Sequence, residues 1–153
     1  TTTDTTTDPR VLAFQRWLKD HEGYEVSTDD ISEGYDEDTY EAEGITFRVL
    51  TDEEADEAAA DYIRESLWAF NSSFLVYHFP DGLTEEDIDA IRGDRCEDAN
   101  GAFLALVGDG FDDLVADAIS QDGRGHFLSH YDHEEHDLED ATGKVAFYGF
   151  RVD

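Results

Sequence analysis

Lysine is almost missing from this chain. Among 153 residues Lys19 and Lys144 are the only two, and with eight arginines they face 40 aspartates and glutamates, for a formal net charge of −30. That balance excludes electrostatic attraction to nucleic acid or anionic lipid as a default binding mode. Cysteine is scarce too: Cys96 stands alone and cannot close an internal disulfide. No apolar run approaches the roughly 18 to 20 residues that span a bilayer, and no basic-then-apolar leader is present. The expectation is therefore a cytoplasmic protein without membrane association. Repeats and Pro- or Ser-rich linkers are also lacking, so the chain is expected to form a polar N-terminal lead over 1–8 and a single domain over 9–153. What is present is a sizeable core. Hydrophobic residues make up 39% and include 10 Phe, 7 Tyr and 2 Trp, too many for a disordered acidic chain.

Two accounts of the charge compete. In the first, the protein is adapted to a cytoplasm of molar salt, where the Debye length is roughly 3 Å and carboxylates hardly repel one another. In the second, the surface imitates the phosphates of DNA and inhibits a host restriction or CRISPR nuclease. Acids are spread over the whole chain and the lysine shortage accompanies them, which favours salt adaptation.

The hydrophobic pattern divides the chain into short elements. Asp8 and Pro9 open a helix over about 9–20, with Val11, Phe14, Trp17 and Leu18 on one face. Residues 25–44 read as an acidic loop with a short strand near Tyr40. Ile45 to Leu50 alternate as a strand. Thr51 and Glu54 form a capping box at the head of a helix over about 52–70. A short apolar segment follows at 74–79, then shorter helices at 84–93 and 95–107 and a strongly amphipathic one from Phe111 to just before Gly123. A last strand covers 145–152, where Gly149 implies a bulge or a close backbone approach. Two to four strands at the early and late parts of the chain, with helices between, predict an α+β fold. In it a small antiparallel sheet packs against four to six helices, and the last strand pairs with 45–50.

Chemistry concentrates between Asp122 and His136, where four of the six histidines lie within eleven residues. Were 126–136 helical, His126, His130 and His133 would share one face and could ligate zinc, with Asp132 or Asp137 as an oxygen ligand. His133 and His136 are three apart, one short of the spacing in H-E-x-x-H metalloproteases. Arg124, between two glycines, calls for carboxylate partners or marks an anion- or partner-binding loop. Cys96 sits among acids that disfavour its thiolate. No nucleophile elbow, phosphate loop or calcium loop is found. The apolar stretch around Trp68 to Asn71 and 74–79 reads as helical core, with a protein-binding patch as the other option.

Three stretches together resemble a family of small uncharacterised proteins of phages, prophages and plasmids. They are Tyr40 to Glu57 with its L-T-D-E-E-A-D core, Ser66-Leu67-Trp68-Ala69-Phe70-Asn71, and Asp122 to Ser129 with Tyr131 and Asp132. That family carries no established activity, so the resemblance implies a mobile-element setting rather than a reaction. With the charge, it implies a haloarchaeal virus or plasmid. His130, His133 and His136 are outside the shared pattern. The leading expectation is a non-catalytic accessory protein that binds a host or viral protein, with Arg124, His126, Tyr131, Asp132, Trp68 and Asn71 as its binding residues. The alternatives are a zinc-type hydrolase centred on His126, His130 and His133, and the DNA mimic.

Overall fold

The computed structural model describes residues 8–34, 36 and 38–153; of the N-terminal lead expected over 1–8, residues 1–7 lie outside them. Contacts within the chain divide it into two compact units, one of residues 1–57 with 123–153 and the other of 58–122.

The first unit is built on a five-stranded, wholly antiparallel sheet. Its strands are β1 (Ser32–Glu33), β2 (Thr39–Ala42), β3 (Ile45–Leu50), β4 (Glu135–Glu139) and β5 (Val145–Arg151), in the order β1-β2-β3-β5-β4. The expected pairing of the last strand with 45–50 is present, with Phe47 opposite Arg151 and Leu50 opposite Tyr148. Helix α1 (Pro9–Trp17) lies on one face of the sheet, where Phe14 stacks on Phe47 at 5.2 Å and Trp17 meets the same ring at 4.5 Å. Asp8 caps α1 by accepting from the Arg10 amide at 2.8 Å. The helix then loosens into a π turn over Leu18–Glu22 and stops at Gly23, whose φ is +73°. Ala13, Leu18, Val26, Ile31, Tyr40, Val49 and Leu138 complete the core of this face.

Arg10 ties α1 to the sheet. Its guanidinium donates to the Val49 carbonyl at 2.7 Å and grips both carboxylate oxygens of Glu54, at 2.7 and 3.0 Å. The same Glu54 closes the expected capping box: it accepts from the Thr51 amide at 2.8 Å, while its own amide donates to Thr51 Oγ1 at 3.2 Å. Gly149 is a close approach, as its place in a strand suggested. A Cβ there would lie 2.6 Å from Phe47 Cδ2, so the Phe47 ring occupies the space that a side chain at 149 would fill.

Helix α2 (Asp52–Ser66) starts in the first unit and runs into the second. The second unit is helical, with α3 (Ser72–Leu75), α4 (Glu85–Arg92), α5 (Asn100–Val107) and α6 (Phe111–Asp122). Its fully buried side chains include Ile63, Leu67, Leu75, Ile88, Phe103 and Leu114. Asn100 stitches it together by accepting from the Trp68 amide at 3.1 Å and donating to the Arg64 carbonyl at 2.7 Å. Thr84 and Asp87 form a second capping box at the start of α4.

The α+β class and the antiparallel sheet are as the sequence predicts, and four details are corrected. There are five strands among the described residues rather than two to four. The helix expected to run to 70 ends at Ser66 and continues as a 3-10 turn over Leu67–Ala69, and the segment expected over 95–107 is 3-10 before it is α. Helix α7 covers only Arg124–Leu128, so 126–136 is not one helix. Beyond it the chain turns through 130–132 and enters β4, a strand the acidic sequence conceals.

Candidate functional site

Of the resembling stretch that starts at Asp122, residues 123–132 lie in the first unit, and their geometry shows what each does. Arg124 is 9% exposed despite its charge. Its Nε donates to Glu135 Oε1 at 2.7 Å, and Nη1 reaches Asp52 Oδ1 at 2.8 Å, Asp56 Oδ1 at 3.1 Å and the Asp52 carbonyl at 3.0 Å. The guanidinium carbon also sits 4.7 Å from the centroid of the Tyr148 ring. Burial works against the charge, but Glu135 and Asp52 outweigh it, and the net effect is a raised pKa. Asp52 and Asp56 belong to the L-T-D-E-E-A-D stretch. Two of the three resembling motifs are therefore the two halves of one ion-pair knot.

The remaining residues of the segment serve the same join. Gly125 packs on the chain entering β4, where an added Cβ would come within 2.6 Å of the Glu135 amide nitrogen. Phe127 and Leu128 are buried, and Ser129, fully buried, donates its hydroxyl to the Glu134 carbonyl. His126 and Tyr131 are left facing solvent. Tyr131 is 58% exposed, and the Arg151 guanidinium lies 3.8 Å from its ring centroid. Asp132 is turned inward: Oδ1 accepts from the Glu134 amide at 3.0 Å and Oδ2 bonds His136 Nε2 at 2.7 Å. Trp68, half-buried, and Asn71, exposed, belong to the second unit.

The three expected zinc ligands are not assembled. The His126 and His133 rings are neighbours, with centroids 5.9 Å apart, but His130, in the turn between α7 and β4, does not converge with them into a group of three. The cause is the end of α7 at Leu128, which removes the helical spacing that would have aligned them. Among the described residues, one group of three metal-capable side chains does converge, namely Asp132, Glu134 and His136. Cys96 is exposed and free.

Sequence reasoning missed an open groove of about 900 Å³ beside α1 in the first unit. Leu12, Ala13, Val26, Ala146 and Phe147 form its apolar surface, with Arg16 and Lys19 alongside and Asp20, Glu25, Glu139 and Asp140 around them. Neither Arg16 nor Lys19 has a carboxylate within ion-pair distance among the described residues, although acids outnumber bases four to one. One signal was available: Leu12, Arg16 and Lys19 follow at helical spacing on the side of α1 opposite Phe14 and Leu18. No protein-family model matches the chain, and no similar protein is found among curated sequences or solved structures.

Proposed function

We propose that the chain is a non-catalytic accessory protein of a halophilic virus or plasmid that works by binding a host or viral protein at the groove beside α1. The observation that carries this reading is the pairing of an apolar surface with two cations that have no carboxylate in ion-pair range among the described residues, in a chain where carboxylates are abundant. Binding sites for specific ligands are typically concave, largely apolar, and marked by a few well-placed polar groups. In molar salt, charges a few ångströms apart are screened and direct contacts remain. A partner segment with apolar anchors and neighbouring carboxylates therefore gains from Arg16 and Lys19 and is little repelled by the acids around them. The mobile-element setting is supported by the three resembling stretches, and the halophilic setting by the charge. Two of those stretches meeting at Arg124 supports a scaffold role for them rather than a reaction centre.

The test is affinity capture from host lysate, uninfected and infected, in molar KCl. The wild-type chain is expected to recover the same protein repeatedly. The double variant Arg16→Glu, Lys19→Glu should lose it while keeping its circular dichroism. Repeated recovery of nothing would contradict the function. Capture that survives the double variant but fails in Tyr131→Ala would move the surface to the 122–133 loop.

A further inference from the structure

His136 stands in β4 opposite Gly149, on the sheet face that carries Phe47 and Trp17. With no side chain at 149, the Phe47 ring spreads over that position and stacks on the imidazole, with centroids 5.4 Å apart and planes at 22°. Trp17 meets the same imidazole edge-on at 5.3 Å. Two aromatic rings thus fix the plane of a histidine whose side chain is only 19% exposed. Its Nε2 is the atom presented to Asp132 Oδ2. The carboxylate is fixed in turn, because its other oxygen is held by the Glu134 amide. Glu134 is exposed, and its carboxylate makes no hydrogen bond or ion pair among the described residues. One ligand atom from each of the three residues lies within 4.8 Å of the other two.

We propose that Asp132, Glu134 and His136 form a site for a divalent first-row transition metal of the zinc type, which clips the turn after α7 to the start of β4. The donor set is one imidazole nitrogen and two carboxylate oxygens, and water completes the coordination. The metal takes the place of the hydrogen between Asp132 Oδ2 and His136 Nε2, and the neutral imidazole then carries its N–H on Nδ1 while any extra proton leaves to solvent. Metal–ligand distances of about 2.0–2.2 Å require that pair to open by roughly half an ångström, and the unrestrained Glu134 carboxylate to swing in. An imidazole already oriented by packing lowers the ordering cost of binding. It also discriminates against magnesium and calcium, the hard cations that carboxylates alone would collect. The site shares no residue with the groove beside α1, so it stands or falls independently of the binding function.

The test is zinc titration of chelator-treated protein in molar KCl, followed by calorimetry, with cobalt(II) absorption as a second readout of nitrogen and oxygen ligation. One equivalent of zinc is expected, with a rise in melting temperature. Glu134→Gln, which removes an exposed side chain outside the core, should weaken binding by at least about tenfold, since losing even an outer partner of a ligand has that effect. His136→Ala should abolish it. The double variant His126→Ala, His133→Ala should bind as the wild type does. Less than about 0.2 equivalents bound to the wild type would overturn the site, as would affinity unchanged in Glu134→Gln or lost in the His126, His133 variant.

Discussion

Arg124 shows what a cation does in a chain with 40 acids and 10 bases. Its three carboxylate partners include two that are largely exposed, Asp52 at 70% and Asp56 at 61%. Those two would contribute little as ordinary surface pairs. The guanidinium itself is buried and stacked on Tyr148, so removing it leaves Glu135 without its partner and a hole beside the ring. Arg124→Ala is expected to cost about 1–3 kcal/mol, from the lost packing and hydrogen bonds, since the carboxylates left behind reach water. Arg124→Lys keeps the charge and loses the planar fork and the stacking, and should recover only part of the loss. Urea unfolding of both variants in molar KCl measures this, and a lysine variant equal to the wild type would show that charge alone suffices.

Glu54 makes a second prediction at the same scale. The Arg10 guanidinium, then the Thr51 amide, hold its carboxyl down from the usual 4.5 to about 2. A carboxyl depressed on folding stabilises the native state above its unfolded pKa and loses that contribution as pH falls toward its folded one. The window is thus about pH 4.5 down to 2. In Glu54→Gln that part of the acid destabilisation should be missing, which denaturant midpoints measured across the window would register. The partners of Arg124 were not legible in the sequence: Asp52 and Asp56 lie 72 and 68 positions away, and although their stretch stood out, nothing local linked it to Arg124. The Thr51–Glu54 box was legible because its chemistry is local.

At the scale of elements, the same contrast decides which strands could be foreseen. Strand β3 alternates apolar and polar residues over its first five positions, Ile45 to Val49, and is visible on its own. Strand β4 reads Glu-His-Asp-Leu-Glu, with Leu138 as its one aliphatic residue. It is a strand because β5 pairs with it from Glu135 to Glu139, a long-range cause that no local pattern reports. The expected ligand set of His126, His130 and His133 failed for the same reason: spacing alone could not show that the chain leaves the helix at Leu128 and enters a strand at Glu135. Leu138 is fully buried against α1, and Leu138→Ala should cost about 2–5 kcal/mol. Thermal melts of that variant beside Val145→Ala, whose side chain is 42% exposed and should cost far less, check that β4 is anchored by its single apolar residue. The groove beside α1 was partly legible. The helix and its inner face were clear, whereas the apolar wall supplied by Ala146 and Phe147 depends on how β5 folds back.

For the whole molecule, the charge dominates. The described cations that make ion pairs with carboxylates are Arg10, Arg64, Arg92 and Arg124, and they leave most of the 40 acids without a basic partner. At a Debye length of roughly 3 Å this excess is tolerable; at roughly 30 Å, in about 0.01 M salt, every carboxylate acts on many others and the folded state is opposed. On the proposed salt adaptation, the buried aromatic core and the Arg10 and Arg124 knots hold the fold only while that repulsion is screened. Differential scanning calorimetry of the wild-type protein, dialysed stepwise from molar KCl into millimolar buffer at constant pH, tests this most directly. The melting temperature should fall continuously with dilution, and the cooperative transition should vanish at the lowest salt. An unchanged or higher melting temperature in dilute buffer would contradict salt adaptation and leave imitation of a nucleic-acid backbone as the better account of the charge.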